Sequence, residues 1–234
     1  MQNYAVPLSI VVAGALIAGA LFFVNRSQTM PQGNTPTDTA SEVRAVSEND
    51  HILGNPNADI VVVEYSDIDC PVCKQFHETM KRLIDEYGAT GKVAWVYRHF
   101  PLAQLHPNAR SHAIASECVA QIGGNTKFWE FLDAVFAANP GNQQANPSTY
   151  GALVESIGLS ASDFDTCMTN DGAALGARVD ADYENALAAG GQGTPHNILI
   201  IRGLDEPISI PGAQPYENMR GIIEQILAQS GSAQ

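Results

Sequence analysis

"VVVEYSDIDCPVCKQFHETM", residues 61–80, places two cysteines two positions apart between a β-branched run and a helical pattern. From Ile60 the run IVVVEY reads as a short strand buried on both faces. Beyond Cys70 the apolar residues Val72, Phe76, Met80, Leu83 and Tyr87 recur at spacings of three and four, which predicts a helix that Gly88 ends. KVAWVYRHF, from Lys92, is a second strand of the same kind. Strand, helix and strand in so short a span form a βαβ unit, so the two strands are expected to be parallel.

Further along, the sequence turns helical. NARSHAIASECVAQI, TKFWEFLDAVFAA, STYGALVESI, SASDFDTCMT and ALGARVDADYENALAA carry helical spacing between Gly, Asn and Pro breaks, which predicts a helical block over about 105–189. Ser160, three residues before Asp163, is placed to cap one of these helices. The aromatic cluster Phe128, Trp129, Phe131 and Phe136 reads as core. Strands return in NILIIRG and PISIPG, joined through Asp205. A helix bearing Met219, Ile222, Ile223, Ile226 and Leu227 closes the domain, with residues 230–234 as a tail.

With 234 residues, 45% of them hydrophobic, the chain builds an ordinary core without disulfide support. Twelve Lys and Arg against 25 Asp and Glu give a net charge of −13, the wrong sign for nucleic acid. Residues 5–24, AVPLSIVVAGALIAGALFFV, are apolar and uncharged, long enough for a hydrocarbon core of about 30 Å. This predicts one transmembrane helix, an anchor over residues 1–25 that is not cleaved. A cleaved signal has a shorter apolar core, of about 7–15 residues, behind a basic start. Arg26 and Arg44 follow the run and nothing basic precedes it, which by the positive-inside rule favours a cytoplasmic C-terminal side. Long domains translocate largely regardless of charge, and an even number of cysteines suits an oxidising compartment, so the domain is expected outside the cytoplasm, at the cell surface or in a periplasm. Residues 26–50 are polar, without apolar periodicity, and read as a disordered linker with a reach of roughly 30 Å.

Pro71 occupies a first helical position, so the helix begins at Cys70. There the free N–H groups and the positive end of the helix dipole favour a thiolate, while Cys73, one turn in, is more shielded. An exposed nucleophilic sulfur with a resolving partner is what thiol–disulfide exchange needs. A structural zinc site takes four ligands, usually from two such pairs, and Cys118 and Cys167 lie 49 residues apart in no second C-x-x-C. His77, His99, His106 or His112 would have to complete such a site, and no metal or other cofactor is expected. A purely structural Cys70–Cys73 bridge closes almost no loop and constrains the unfolded chain little.

EYSDIDCPVC, YRHFPL, HPNA, FWEF and the Gly-Thr-Pro of GQGTPHNIL, in that order, resemble the DsbA-like thiol–disulfide oxidoreductases of the membrane-tethered bacterial branch, over roughly residues 50–229. The resemblance implies an α/β thioredoxin fold over 51–229, split by the helical block as an inserted domain. It implies Cys70 as the attacking sulfur and Cys73 as the resolving one. Pro195 would be a cis-proline after Thr194, presenting backbone groups to an extended substrate. Thr194, Pro195, His196, Pro71 and Val72 would line the substrate site. Glu64 would be a buried carboxylate relaying the proton of Cys73; a strand-end glutamate reaching solvent is the alternative. Asp67 and Asp69 read as turn residues whose charge opposes a thiolate. Two positions depart from the family pattern. Val72 stands where strongly oxidising members carry a histidine, and His196 stands where small or hydroxyl side chains are commoner. His196 either restores some of the lost stabilisation or points to solvent.

Cys118 and Cys167 both fall on helices of the block. Two thiols in one helical domain outside the cytoplasm point to a disulfide, worth about 4 kcal/mol in the chain-entropy model. The expected activity is oxidation of reduced or misoxidised extracytoplasmic proteins, with a membrane redox partner of the DsbB or vitamin K epoxide reductase kind. Reduction or isomerisation, or a non-catalytic thioredoxin-like module that holds a metal, are the alternatives.

Overall fold

The computed structural model describes residues 39–139 and 144–231. The apolar run 5–24 lies outside them. Among the described residues no helix is long and apolar enough to cross a membrane.

Five strands form one sheet: β1 His51–Leu53, β2 Ile60–Ser66, β3 Val93–His99, β4 His196–Ile201 and β5 Ile208–Ile210, in the order β1-β3-β2-β4-β5. β2 and β3 are parallel and every other pairing is antiparallel. Every residue of β2 and β3 is buried, which is why their sequences are near-continuous apolar runs. Helix α1, Pro71–Tyr87, joins them. Gly88 follows it with a right-handed φ of −66°, so the left-handed turn comes later, at Gly91 (φ 71°). Gly88 is needed for space instead, because a Cβ there would lie 2.5 Å from the Ile84 carbonyl oxygen.

The block between β3 and β4 holds α2 (Ala109–Ala138), α3 (Tyr150–Ser156), α4 (Ala161–Asn170) and α5 (Gly172–Ala188). α2 is two helices joined across a kink at Gly124 (φ 78°, ψ −178°), which is why its sequence reads as two stretches. Ser160 caps α4, its hydroxyl accepting from the Asp163 N–H at 3.2 Å. Cys118 on α2 and Cys167 on α4 are joined by a disulfide, S–S 2.07 Å. The block shares one core with the sheet: Phe128, Trp129, Phe131 and Phe136 pack in the same cluster as Trp95 and Tyr97. Helix α6, Tyr216–Gly231, lays Met219 and Ile223 against that cluster beside Leu83 and Tyr87 of α1.

Alternation along the strands sorts side chains between the two faces. Ile60, Val62, Trp95, Tyr97, Leu199 and Ile201 face α1 and the aromatic cluster. Val61, Val63, Tyr65, Ala94, Val96 and Ile198 face the other way, towards Ala186 and Ala189 at the end of α5.

The linker expected over 26–50 requires correction where it is described. Residues 39–50 pack on that second face, starting with a 3-10 turn, Thr39–Glu42, and Ala40 is 2% exposed. Arg98 is fully buried and grips Asp50 with two hydrogen bonds, Nε to Oδ1 at 2.8 Å and Nη2 to Oδ2 at 3.1 Å. Arg44 reaches Asp182 of α5 at 2.8 Å. The ordering comes from charge: a buried guanidinium left unpaired is costly, so Arg98 binds the segment that brings Asp50. Strand β1, directly after this segment, was likewise not foreseen.

Candidate active site

Cys70 caps the start of α1 in an extended conformation (φ −77°, ψ 118°), with Pro71 opening the helix. The turn before it is tied down by its aspartates. Asp67 accepts from the Asp69 N–H at 2.8 Å, from the Leu102 N–H at 2.8 Å and stands 2.9 Å from His106 Nδ1. Asp69 accepts from the Ala145 N–H at 2.7 Å. Both are turn residues, and both also bind neighbouring loops to the turn.

Both thiols are free. The Cys70 Sγ lies 3.6 Å from the Thr194 carbonyl oxygen, and the Thr194–Pro195 peptide bond is cis. Chain segments more than a hundred residues apart thus meet at one sulfur. The Cys70 thiol is pulled down to about 6. The Cys73 side chain hydrogen-bonded to it is the largest cause; burial works against it, and Thr194 and the backbone N–H groups of Cys73 and Val72 add to the lowering. Cys73 moves the opposite way, pushed up by burial first and then by the neighbouring Cys70 and Glu64. Val72 is 43% exposed beside the pair.

Glu64 lies below the thiols because its parity on β2 matches Ile60 and Val62, on the α1 face. It is 1% exposed, and the strand-end alternative reaching solvent is excluded. Trp95 donates its Nε1–H to Glu64 Oε2 at 2.9 Å. Burial pushes the carboxyl up to about 8, the nearby Ser66 hydroxyl and the Trp95 hydrogen bond oppose that, and the charge of Cys70 adds to it. At neutral pH Glu64 therefore holds a proton beside a buried thiol.

A family model described as thioredoxin matches residues 46–225. The chain belongs to the thioredoxin family. Two solved structures share its fold: Pseudomonas aeruginosa DsbA2, at 24% identity and TM-score 0.64 over 77% of this chain and 96% of that one, and Wolbachia pipientis alpha-DsbA1, at 20% identity and TM-score 0.68 over 83% and 98%. Among curated relatives, the Na(+)/H(+) antiporter NhaA 1 of Mycolicibacterium gilvum is 30% identical over 156 residues, 67% of this chain and 24% of that protein. The chain spans about a quarter of the length of such relatives.

Within this thioredoxin domain, His196 does not stand over Cys70. It pairs with Tyr65 across β2 and β4, so its ring is on the face away from α1, stacked on Tyr65 with centroids 5.8 Å apart. Its Nε2 bonds the Ala189 carbonyl at 2.9 Å, and burial pushes its pKa down. A neutral, half-buried ring there neither supplies charge to the thiolate nor points to solvent. The other histidines are also engaged away from the thiols: His77 with Asp133 at 2.6 Å, His106 with Asp67, His112 with the Tyr150 hydroxyl, and His51 and His99 with Glu117 at 2.8 Å and 3.0 Å. Sequence reasoning missed Trp95 as the partner of Glu64. The signal was available in strand parity, since parallel β2 and β3 in register put residues 62, 64, 95 and 97 on one face.

Proposed function

We propose that the chain is a protein thiol–disulfide oxidoreductase of the DsbA type, acting outside the cytoplasm by oxidising reduced protein segments. The observation that carries this is the asymmetry of the two thiols: Cys70, at a helix start and against the cis-Pro195 loop, falls to about 6, while Cys73, buried next to a protonated Glu64, rises. In the disulfide form, a substrate thiolate attacks the Cys70 sulfur. The Cys70–Cys73 bond breaks, the substrate–Cys70 bond forms, and Cys73 leaves as a thiolate that takes the Glu64 proton. A second substrate thiolate then attacks its own sulfur in the mixed disulfide and Cys70 leaves, already stable as a thiolate. The substrate has lost two electrons and the pair has gained them. A two-electron acceptor is then required to reoxidise it, and in this reading it is a membrane redox partner.

Thr194, Pro195, Pro71 and Val72 form the substrate contact in this reading. An extended peptide binds the free backbone edge before β4, and Val72 offers apolar surface beside it. A membrane anchor at residues 5–24 remains part of the proposal. Antiport is not carried over from relatives about four times as long.

Equilibrating the full chain against a glutathione series, with Cys70–Cys73 scored by alkylation, tests the direction. A potential above that of the glutathione pool supports oxidation. One far below it assigns the pair to reduction.

A further inference from the structure

Away from the redox pair, one place among the described residues brings three metal-binding side chains together. His51 Nε2, His99 Nε2 and Glu117 Oε1 lie within 4.8 Å of one another. The sheet aligns the imidazoles: His51 pairs with Tyr97 across β1 and β3, and His99 is two residues further along the same face. Glu117 descends from α2 between them. All three are buried.

Both imidazoles converge on one carboxylate oxygen: His51 Nε2 is 2.8 Å and His99 Nε2 3.0 Å from Glu117 Oε1. Arg178 closes the cluster from the outside, its Nη2 donating to the Asn49 carbonyl and lying 3.3 Å from His51 Nε2. A cation at this point draws a lone pair from each of the three atoms, and each imidazole keeps its one proton on Nδ1.

The surroundings fit an ion. Ligand atoms of a tetrahedral zinc with bonds of about 2.0–2.1 Å sit roughly 3.3 Å apart, so each imidazole has to draw back from Glu117 Oε1 by roughly 0.3–0.5 Å. Arg178 Nε holds the second oxygen, Glu117 Oε2, at 3.1 Å, the outer hydrogen bond that orients a ligating carboxylate. A cavity of about 350 Å³, lined by His51, Glu117, Asp50, Gln121 and Arg178, adjoins the cluster. It provides an entry path and room for a water in the fourth position.

We propose that His51, His99 and Glu117 form a zinc(II) site, with coordination completed by water from the adjoining cavity. Imidazole and carboxylate together suit this ion. Bound there, it bolts β1 and β3 to α2, independently of the redox chemistry.

The test uses the full chain carrying Cys70→Ser and Cys73→Ser, so that zinc held by those thiols does not count. Zinc titrated against a chromophoric competitor is expected to bind at one equivalent per chain and to raise the melting temperature. Glu117→Gln keeps the side-chain shape and is expected to weaken zinc at least about a hundredfold, since even outer-shell changes cost about 10–100-fold. If Glu117→Gln lowers the metal-free melt, His51→Gln, at the cavity wall, takes its place with the same expected loss. Cobalt(II) is expected to show visible ligand-field bands that the variant loses. Absence of zinc binding in the double-serine chain overturns the proposal, as does binding that survives both substitutions unchanged.

Discussion

The chain's two cysteine pairs differ in everything except their element. Cys118 and Cys167 come from the interiors of two helices, 49 residues apart, and meet in the core as a disulfide. Cys70 and Cys73 come from one helical turn, at a helix start, and stand as thiols with opposite pKa shifts. Where a sulfur sits on its helix decides what it does. At the helix start the Cys73 thiol one turn on, and then the free N–H groups, stabilise the Cys70 thiolate; inside a packed block nothing does, and the pair is a staple.

The largest effect expected from breaking this comparison is at Cys70. Cys70→Ala should reduce exchange to the uncatalysed background, whereas Cys73→Ala should keep the attacking sulfur and accumulate mixed disulfides with substrates. Non-reducing electrophoresis after acid quenching reads this, scoring bands that collapse with reductant. Equal trapping by both variants sinks the asymmetry.

Replacing the other pair, Cys118→Ala with Cys167→Ala, is expected to cost about 4 kcal/mol of stability by loop entropy while leaving exchange intact. Denaturant unfolding at fixed pH measures it. A loss of exchange in a chain that still folds would merge the two roles.

Glu64→Gln sharpens the redox side. The folded state resists ionising Glu64, whose pKa rises from 4.5 to about 8. That penalty is absent below the unfolded value, grows as pH rises through it, and levels off above about 8. The substitution is therefore expected to stabilise the fold by about 3 kcal/mol at pH 7 and by nothing at pH 4. Calorimetric melts across that range check the slope. The smallest effect is in labelling: alkylation of the reduced native chain should report one reactive cysteine, half-maximal near pH 6, with Cys118 and Cys167 silent until unfolded and reduced.

Periodicity and turn chemistry in the sequence carried the βαβ unit, the helical block and the Cys70 helix start, because each is local. Strand parity alone is enough to place Glu64 under α1, but not to say it is buried, since a lone carboxylate costs too much until Trp95 is known to serve it. The place of His196 was not legible, because adjacency to Pro195 in sequence is not adjacency in space: alternation on β4 turns the ring to the face away from α1, half-buried against Tyr65. Residues 39–50 were missed for another reason: apolar periodicity was the only sign of order sought. Asp50 and Arg44 order that segment through Arg98 and Asp182, partners that no local pattern connects to it.

That clamp also sets a load path. A pull at Thr39 meets Arg44–Asp182 and Arg98–Asp50 before it reaches β1, and both contacts belong to the sheet face that carries α5. Helix α1 takes no part in either. Such a pull loads the back of the sheet first, on the side opposite the sulfur-bearing turn.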